Sequence, residues 1–310
     1  MQDKPKISII SPSKNTGRFA KETIESILAQ SYPHWEHIVV DGVSTDETLD
    51  VIRQYPHIRW ISEEDSGIDE AFRKGLAMAK GKYVMLCCIS DGYLDRNWFK
   101  KCVEILDHQP EISLVWGIDQ NILEDGTLHQ IIYNSYFNDP PPSGKDFIYY
   151  WLENEGLFCE RNLCVRKNVI EKCFPPFDPK MLGQESAFLT FFYNFNVFGY
   201  LPYFIPSLAV YARFHHDAAS QRQGKSGELG RSLRKYYSEI EQYKRKIRKG
   251  KIKHHYRDGF GNMLPDGRDR RRYLNQARVQ KFKKIIIYLT RNLLPHRLKQ
   301  NIKKIFKNHV

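Results

Sequence analysis

The chain has little cysteine. Of 310 residues six are Cys, and none forms a C-x-x-C pair or stands at zinc spacing from a histidine. That absence excludes a zinc-ribbon or dithiol reading, and Cys87, Cys88, Cys102, Cys159, Cys164 and Cys173 are expected to be reduced thiols. Nor does any segment approach the ~20 consecutive apolar residues that cross a bilayer as a helix. The opening MQDKPKISII enters a strand pattern with no room for a signal-peptide apolar core. The expectation is a cytoplasmic protein, at most peripheral on the inner face of a plasma membrane. Acidic residues are scarce at one end only: residues 225–310 hold 6 Asp+Glu against 26 Lys+Arg, a net +20, whereas the preceding residues hold 30 against 22, a net −8. The aromatics of this basic tail are not interleaved as stacking platforms, so nucleic acid is not an expected partner.

What is present is a repeated strand, loop and helix, in a chain long enough to bury a core without disulfides. Residues 6–11 (KISIIS) are apolar and β-branched, stop at Pro12, and lead through a polar loop to a helical pattern over 20–30. Residues 37–41 (HIVVD) form a second strand ending in a carboxylate. A helix over 45–54 follows, capped by Ser44 or Thr45. A third strand over 57–62 precedes a helix over 69–80 that Gly81 ends, and 83–88 (YVMLCC) is a fully apolar strand. This alternation predicts a parallel sheet covered on both faces, with ligands binding beyond the carboxyl ends of its strands. Beyond 118 the periodicity weakens, DPPPSG at 139–144 is a loop, 185–198 is helical and aromatic, and 200–214 is extended.

The loops at 12–15, 41–44, 65–69 and 90–91 all fall at such strand ends. Taken singly, their acids have ordinary readings: Asp41 as a turn carboxylate, Asp65 and Asp69 as helix caps, Glu185 as a first-turn acid favoured by the helix dipole. Their joint position at converging strand ends favours a site. Asp91, in CISDGYLD, suits Mg²⁺ or Mn²⁺, which take oxygen ligands and need few from the protein.

Read in order, these segments resemble glycosyltransferase family 2, whose catalytic domain has the GT-A fold, a Rossmann-like α/β/α sandwich. The resemblance covers roughly residues 6–220. ISIISPSKN is similar to the family's first strand and P-x-x-N turn, and ETIESILAQSYPHWEHIVVDGVSTDET to its next helix, strand and nucleotide loop. It implies that Pro12, Asn15 and Asp41 surround the nucleotide. WISEEDSGIDEAFRKGLAMAKGKYVMLC is similar to the segment that holds the donor, and puts Asp65, Gly67 and Arg73 in those places, where many members carry Asn instead of Arg73. In the metal motif Ser90 falls on the first acid and Asp91 on the second, metal-touching one. VRKNVIEKCFPPFDPKMLGQESAFL resembles the acceptor side and implies Glu185 as the base, in a Gln184-Glu185 pair where the family has Glu-Asp. YFIPSLAVYARFHHDAAS resembles the closing segment and implies Arg213 and His215 near the diphosphate or metal.

The division expected is a catalytic domain over 1–222 and a basic, mainly helical extension over 223–310. In that extension Phe282, Ile285, Ile286, Leu289 and Leu293 share one helical stripe, and after Pro295 a second stripe runs through Leu298, Ile302, Ile305 and Phe306, both flanked by lysines. A basic amphipathic pair suits an anionic membrane surface; packing on the catalytic body or a partner subunit is the competing reading. The expected function is inverting transfer of a sugar from a nucleotide-diphosphate donor, a UDP-sugar favoured, to a glycan or lipid-linked acceptor in surface polysaccharide synthesis. Its rivals are a nucleotidyltransferase on the same fold and a non-catalytic nucleotide- or glycan-binding scaffold.

Overall fold

A computed structural model describes residues 4–132, 140–154, 160–176, 186–216 and 228–264. The four apolar runs of the first third become the parallel strands β1 (Ile7–Ser13), β2 (Trp35–Asp41), β3 (Ile58–Ser62) and β4 (Tyr83–Leu86), ordered β3-β2-β1-β4. Every residue of β1 is buried, as a strand covered on both faces requires. The alternation along β2 shows the two covers: Val39 packs with Ala20, Ile24 and Ile52, whereas Ile38 and Val40 pack with Ala71 and Ala79. Helices α1 (Gly17–Leu28) and α2 (Thr48–Arg53) thus lie on one face and α3 (Ile68–Met78) on the other. On α1 the buried Phe19, Ala20, Thr23, Ile24 and Ile27 recur at helical spacing.

The chain continues through the two-residue β5 (Gly92–Tyr93), α4 (Trp98–His108), the long β6 (Ile112–Leu123) and its antiparallel partner β7 (Leu128–Ile132). Then come α5 (Phe147–Asn154), β8 (Cys164–Arg166), α6 (Lys167–Cys173), α7 (Ala187–Val197), β9 (Leu201–Phe214) and α8 (Glu228–Arg248). The sheet runs β3-β2-β1-β4-β8-β6-β9-β5 with β7 beside β6. The first four strands are parallel, as their alternation with helices predicts, and the rest makes the sheet mixed: β8 runs against β4 and β6, and β5 against β9. With three and two residues, these strands are too short to carry a periodicity signal.

Helix α8 packs on the body. Tyr236, Ile240, Tyr243 and Ile247 form one buried stripe within the main core, and Trp151 Nε1 donates to the Tyr236 hydroxyl at 2.9 Å. The chain after it returns to the sheet, where the Arg257 N–H donates to Gly199 O at 2.8 Å and the Gly259 N–H to Pro110 O at 2.8 Å. No helix among the described residues is long and apolar enough to cross a membrane. The stripes at 282–293 and 298–306 lie outside the described residues.

Candidate active site

Because β1, β2, β3 and β4 are parallel, their carboxyl ends share one edge of the sheet, and the loops expected to carry chemistry meet there. Asp41 ends β2 beside Ser13 of β1 and is fully buried. Its Oδ1 accepts the Ser44 hydroxyl at 2.5 Å, and its Oδ2 accepts the Ser44 N–H at 2.9 Å and the Ser62 hydroxyl at 2.7 Å. These three bonds satisfy a buried charge and fix the turn that follows, in which Val43 has φ 61°, a genuine outlier for a β-branched residue. Asn15 also lies in the left-handed region, at φ 53°, where asparagine is tolerated. Its Oδ1 accepts the Thr45 N–H at 2.8 Å and its own N–H donates to Ser44 Oγ at 2.8 Å. Ser44 therefore joins the β1–α1 loop to the β2–α2 loop. Asp46 adds a second tie: its carboxylate accepts the N–H groups of Gly17 and Thr48, each at 3.0 Å. Burial works against its ionisation, yet these bonds and one from the Thr48 hydroxyl hold its carboxyl below the usual range.

Asp65 stands against the same turn, since a Cβ added at Gly42 would lie 2.8 Å from its Oδ2. Its Oδ1 accepts the Gly67 N–H at 2.8 Å, and partial burial pushes the carboxyl up despite nearby Lys74 and Lys14. Gly67 has φ 130°, open to glycine and rarely to other residues, as the chain turns into α3. Arg73 lies further along α3. Its Nε donates to Pro175 O at 3.1 Å and its guanidinium lies 5.1 Å over the Phe174 ring. Glu185 lies outside the described residues. The chain immediately after it is anchored to α3, where Asp69 Oδ2 accepts the Ala187 N–H at 2.8 Å.

The second cluster surrounds Asp91. Pro12 O accepts the Ile89 N–H at 3.1 Å, which ties β1 to the chain leading into it. Thr23 of α1 holds the next turn, donating to Asp91 O at 2.6 Å and accepting the Ser90 N–H at 3.2 Å. Ser90 has φ 150°, an unfavourable backbone for an L side chain, of the kind that gathers at functional sites. Asp91 Oδ1 accepts the Arg213 N–H at 3.0 Å, and Oδ2 lies 3.3 Å from Arg161 Nε. Burial pushes its carboxyl above the usual range, and Arg161 opposes that shift. Arg213 donates from Nε to Ser90 O at 3.3 Å, from Nη1 to Glu124 O at 2.9 Å and from Nη2 to Glu22 Oε2 at 2.5 Å, while its plane lies 4.9 Å over Phe19. Its guanidinium thus braces the loops around Asp91. His215, buried two residues further, stacks on Phe19 with centroids 5.1 Å apart.

The donor set fits a hard divalent cation of a particular kind. Among the described residues no three His, Cys, Asp or Glu side chains converge as a metal cage. Asp91 instead presents Oδ2, which would suit Mg²⁺ or Mn²⁺ completing its shell with water and phosphate provided that the Arg161 guanidinium, 3.3 Å away, is displaced. Oδ1 is already taken by the Arg213 N–H.

Sequence reasoning did not find Arg161, Ser44, Ser62 or Thr23. Spacing marks Ser44 only as a helix cap, whereas its N–H and hydroxyl both bond Asp41. Arg161 had no signal, because it meets Asp91 only through tertiary folding.

Comparison with known proteins agrees with this architecture. The Bacillus subtilis (strain 168) protein TuaG, named for a teichuronic acid biosynthesis glycosyltransferase, is 44% identical over 87 residues, 26% of this chain and 34% of that protein. The S. aureus TarS 1–349 crystal structure in complex with UDP superposes with a TM-score of 0.53 at 18% identity, covering 68% of this chain and 61% of that one. The mannosyltransferase PcManGT from Pyrobaculum calidifontis, in complex with GDP-Man and Mn²⁺, superposes at 0.54 and 18% identity, covering 74% and 63%. In each case this chain spans less than two thirds of the known protein, and the two superpositions establish a shared GT-A fold. The profile described as "Glycosyl transferase family 2" matches residues 8–217, the stretch that runs from β1 through the Asp41 and Asp91 loops to the end of β9, and on that match the chain belongs to glycosyl transferase family 2.

Proposed function

We propose that the chain is an inverting glycosyltransferase that moves a sugar from a nucleotide-diphosphate donor, a UDP-sugar favoured, to a hydroxyl of a glycan or lipid-linked acceptor in surface polysaccharide assembly. The observation that carries this reading is the gathering of Asp41, Asp65 and Asp91 at one edge of parallel strands, on loops bonded to one another. In this reading the Pro12–Asn15 turn and Asp41 shape the nucleotide pocket, and Asp65, Gly67 and Arg73 border the donor. Asp91, with His215 at its margin, would hold a divalent cation, which would supply neutralisation of the departing diphosphate. Glu185 faces the acceptor and takes the hydroxyl proton as that oxygen bonds to the anomeric carbon and the diphosphate leaves with the bonding pair. Arg213 braces Ser90 and Asp91. Family membership and the relationship to TuaG support the polysaccharide setting, and the basic 265–310 segment supports a peripheral place on an anionic membrane surface.

The test uses Glu185→Gln and Asp91→Asn in the full chain, with a panel of nucleotide-sugars. Glu185→Gln is expected to lower transfer at least 100-fold with UDP binding unchanged, and Asp91→Asn to lower the Mn²⁺-dependent gain in UDP affinity at least tenfold. Transfer that survives Glu185→Gln removes it as the base. A wild-type chain that binds nucleotide diphosphates weakly and identically with and without Mn²⁺ points to the scaffold reading, which the serine at 90 favours.

A further inference from the structure

Arg161 sits in a single 3-10 turn, Glu160–Asn162, that leads into β8. Its placement is built rather than incidental. The neighbouring Asn162 is fully buried: its Nδ2 donates to Gly117 O at 3.0 Å and to Asp119 Oδ1, and its Oδ1 accepts the Gly117 N–H at 3.2 Å. The turn is thus clamped to β6, and the Arg161 side chain, about a quarter exposed, reaches Asp91 Oδ2 at 3.3 Å. Oδ1 is committed to the Arg213 N–H. Oδ2 is therefore the oxygen without a backbone donor, and a guanidinium already covers it. A divalent cation and a guanidinium cannot share that oxygen in a buried setting, because like charges a few ångströms apart repel by several kcal/mol even at an effective dielectric constant of about 20.

We propose that Arg161 is a positioning residue that holds the metal place of Asp91 while the site is empty and yields it only when a diphosphate arrives with the cation. The diphosphate supplies the anion to which the displaced guanidinium turns, so the new ion pair offsets the one lost. Metal and nucleotide then bind with positive coupling, and the free protein is protected from loading a bare cation. The coupling is reciprocal: the factor by which the nucleotide raises metal affinity is the factor by which the metal raises nucleotide affinity. This rests on the assignment of Asp91 as the metal-bearing carboxylate.

The experiment measures Mn²⁺ binding to the full chain by the electron paramagnetic resonance of free Mn²⁺, without nucleotide and with saturating UDP, in parallel with GDP. The variants are Arg161→Ala, Arg161→Gln, Arg161→Lys and Asp91→Asn. Neutral replacement at 161 is expected to tighten Mn²⁺ binding to the nucleotide-free protein at least tenfold and to shrink the UDP- or GDP-induced gain by a similar factor, with Arg161→Lys staying near wild type. Arg161→Gln, which keeps most of the side chain's bulk, carries the same expectation should Arg161→Ala fold poorly. Unchanged or weaker metal binding in a folded neutral variant overturns the proposal. If Asp91→Asn binds Mn²⁺ with nucleotide as well as wild type does, the metal assignment itself fails; if only the Arg161 variants are silent, the assignment stands and the displacement does not.

Discussion

At the scale of single residues, the positions that end strands were legible and the contacts that occupy them were not. Asp41 and Asp91 stand where an apolar run stops, and a strand pattern locates that point to within a residue or two. That Asp41 is saturated by Ser44 and Ser62, or that Asp91 meets Arg161, follows from which loops touch, which no local pattern encodes. His37 is a similar case. Read as part of HIVVD, it passes for an ordinary strand residue, yet it is fully buried, its Nε2 pairs with Ser11 Oγ at 2.9 Å, and its Nδ1 has no hydrogen-bond partner. Burial, with His57 nearby, pushes its ring down to about 3 from the usual 6.5, so it stays neutral in the fold. The stabilisation from a neutral ring is complete above about pH 6.5. As pH falls below that value the unfolded chain takes up a proton that the folded one refuses, and stability drops progressively until about pH 3. Urea unfolding at pH 7.5 and 4.5 checks this. His37→Gln should lose about 3 kcal/mol less than wild type between the two pH values, at about 1.4 kcal/mol per unit of pH below the unfolded pKa. Equal losses would assign the acid sensitivity to other groups.

At the scale of elements, the first four strands and their helices appear in the order and place that periodicity predicts, and the differences lie at their ends. The helix expected over 45–54, capped by Ser44 or Thr45, is Thr48–Arg53. Ser44 is engaged with Asp41 and Asn15, Thr45 gives its N–H to Asn15, the N-cap position falls on Glu47 with no side-chain cap bond, and Asp46 just before it accepts the Thr48 N–H. A residue that spacing marks as a cap has been drawn into the site, and its neighbour serves the helix. The same neighbourhood sets how closely α1 and α2 approach. A Cβ added at Gly17 would lie 2.6 Å from the Thr48 N and 2.9 Å from the Glu47 carbonyl carbon, both backbone atoms that cannot swing away. Gly17→Ala must part the two helix starts, at a cost of about 1–3 kcal/mol, and in doing so strains the Gly17 N–H bond to Asp46 and the Thr16 N–H bond to Thr48 Oγ1. Thermal unfolding should fall by roughly 2–4 °C for each kcal/mol, and under the proposed function UDP affinity should weaken with it, since the 12–15 and 41–44 loops hang from these bonds. A variant with the wild-type melting temperature would mean that the helices part without resistance.

At the scale of the whole molecule, composition separates an acidic body from a basic tail, and that contrast places the expected boundary at 222. Packing follows a different line. Tyr236, Ile240, Tyr243, Ile247 and Tyr256 belong to the same core as Trp151, Phe191 and Phe195, although Arg231, Arg234, Lys235, Arg245 and Lys246 give their surroundings a strongly basic look. Charge reports the solvent face of α8, and the apolar stripe that decides where it docks is diluted by that face. The ends of α8 are fastened as well: the Ser186 N–H donates to Ser232 Oγ at 3.2 Å where α7 begins, and Glu153 of α5 receives Lys244 at 3.5 Å and Arg248 at 3.2 Å. The start of α7 is also the segment that Asp69 anchors to α3, so α8 and α3 hold the same helix end. A chain ended at residue 222 would expose Trp151 and leave its Nε1 without the Tyr236 hydroxyl, together with several large aromatics that are now covered. At about 25 cal/mol per Å² of apolar surface, and 150–250 Å² for each aromatic side chain, uncovering even two of them removes about 8–12 kcal/mol, comparable with the whole stability of a typical domain. That chain should therefore aggregate or lack a cooperative thermal transition, whereas a chain ended at residue 264 should melt cooperatively and bind UDP with Mn²⁺ as the full chain does. Cooperative melting of the shorter product would show that α8 is an appendage to the catalytic body, and the wild-type-like behaviour of the longer one would assign residues 265–310 a role outside the fold's stability.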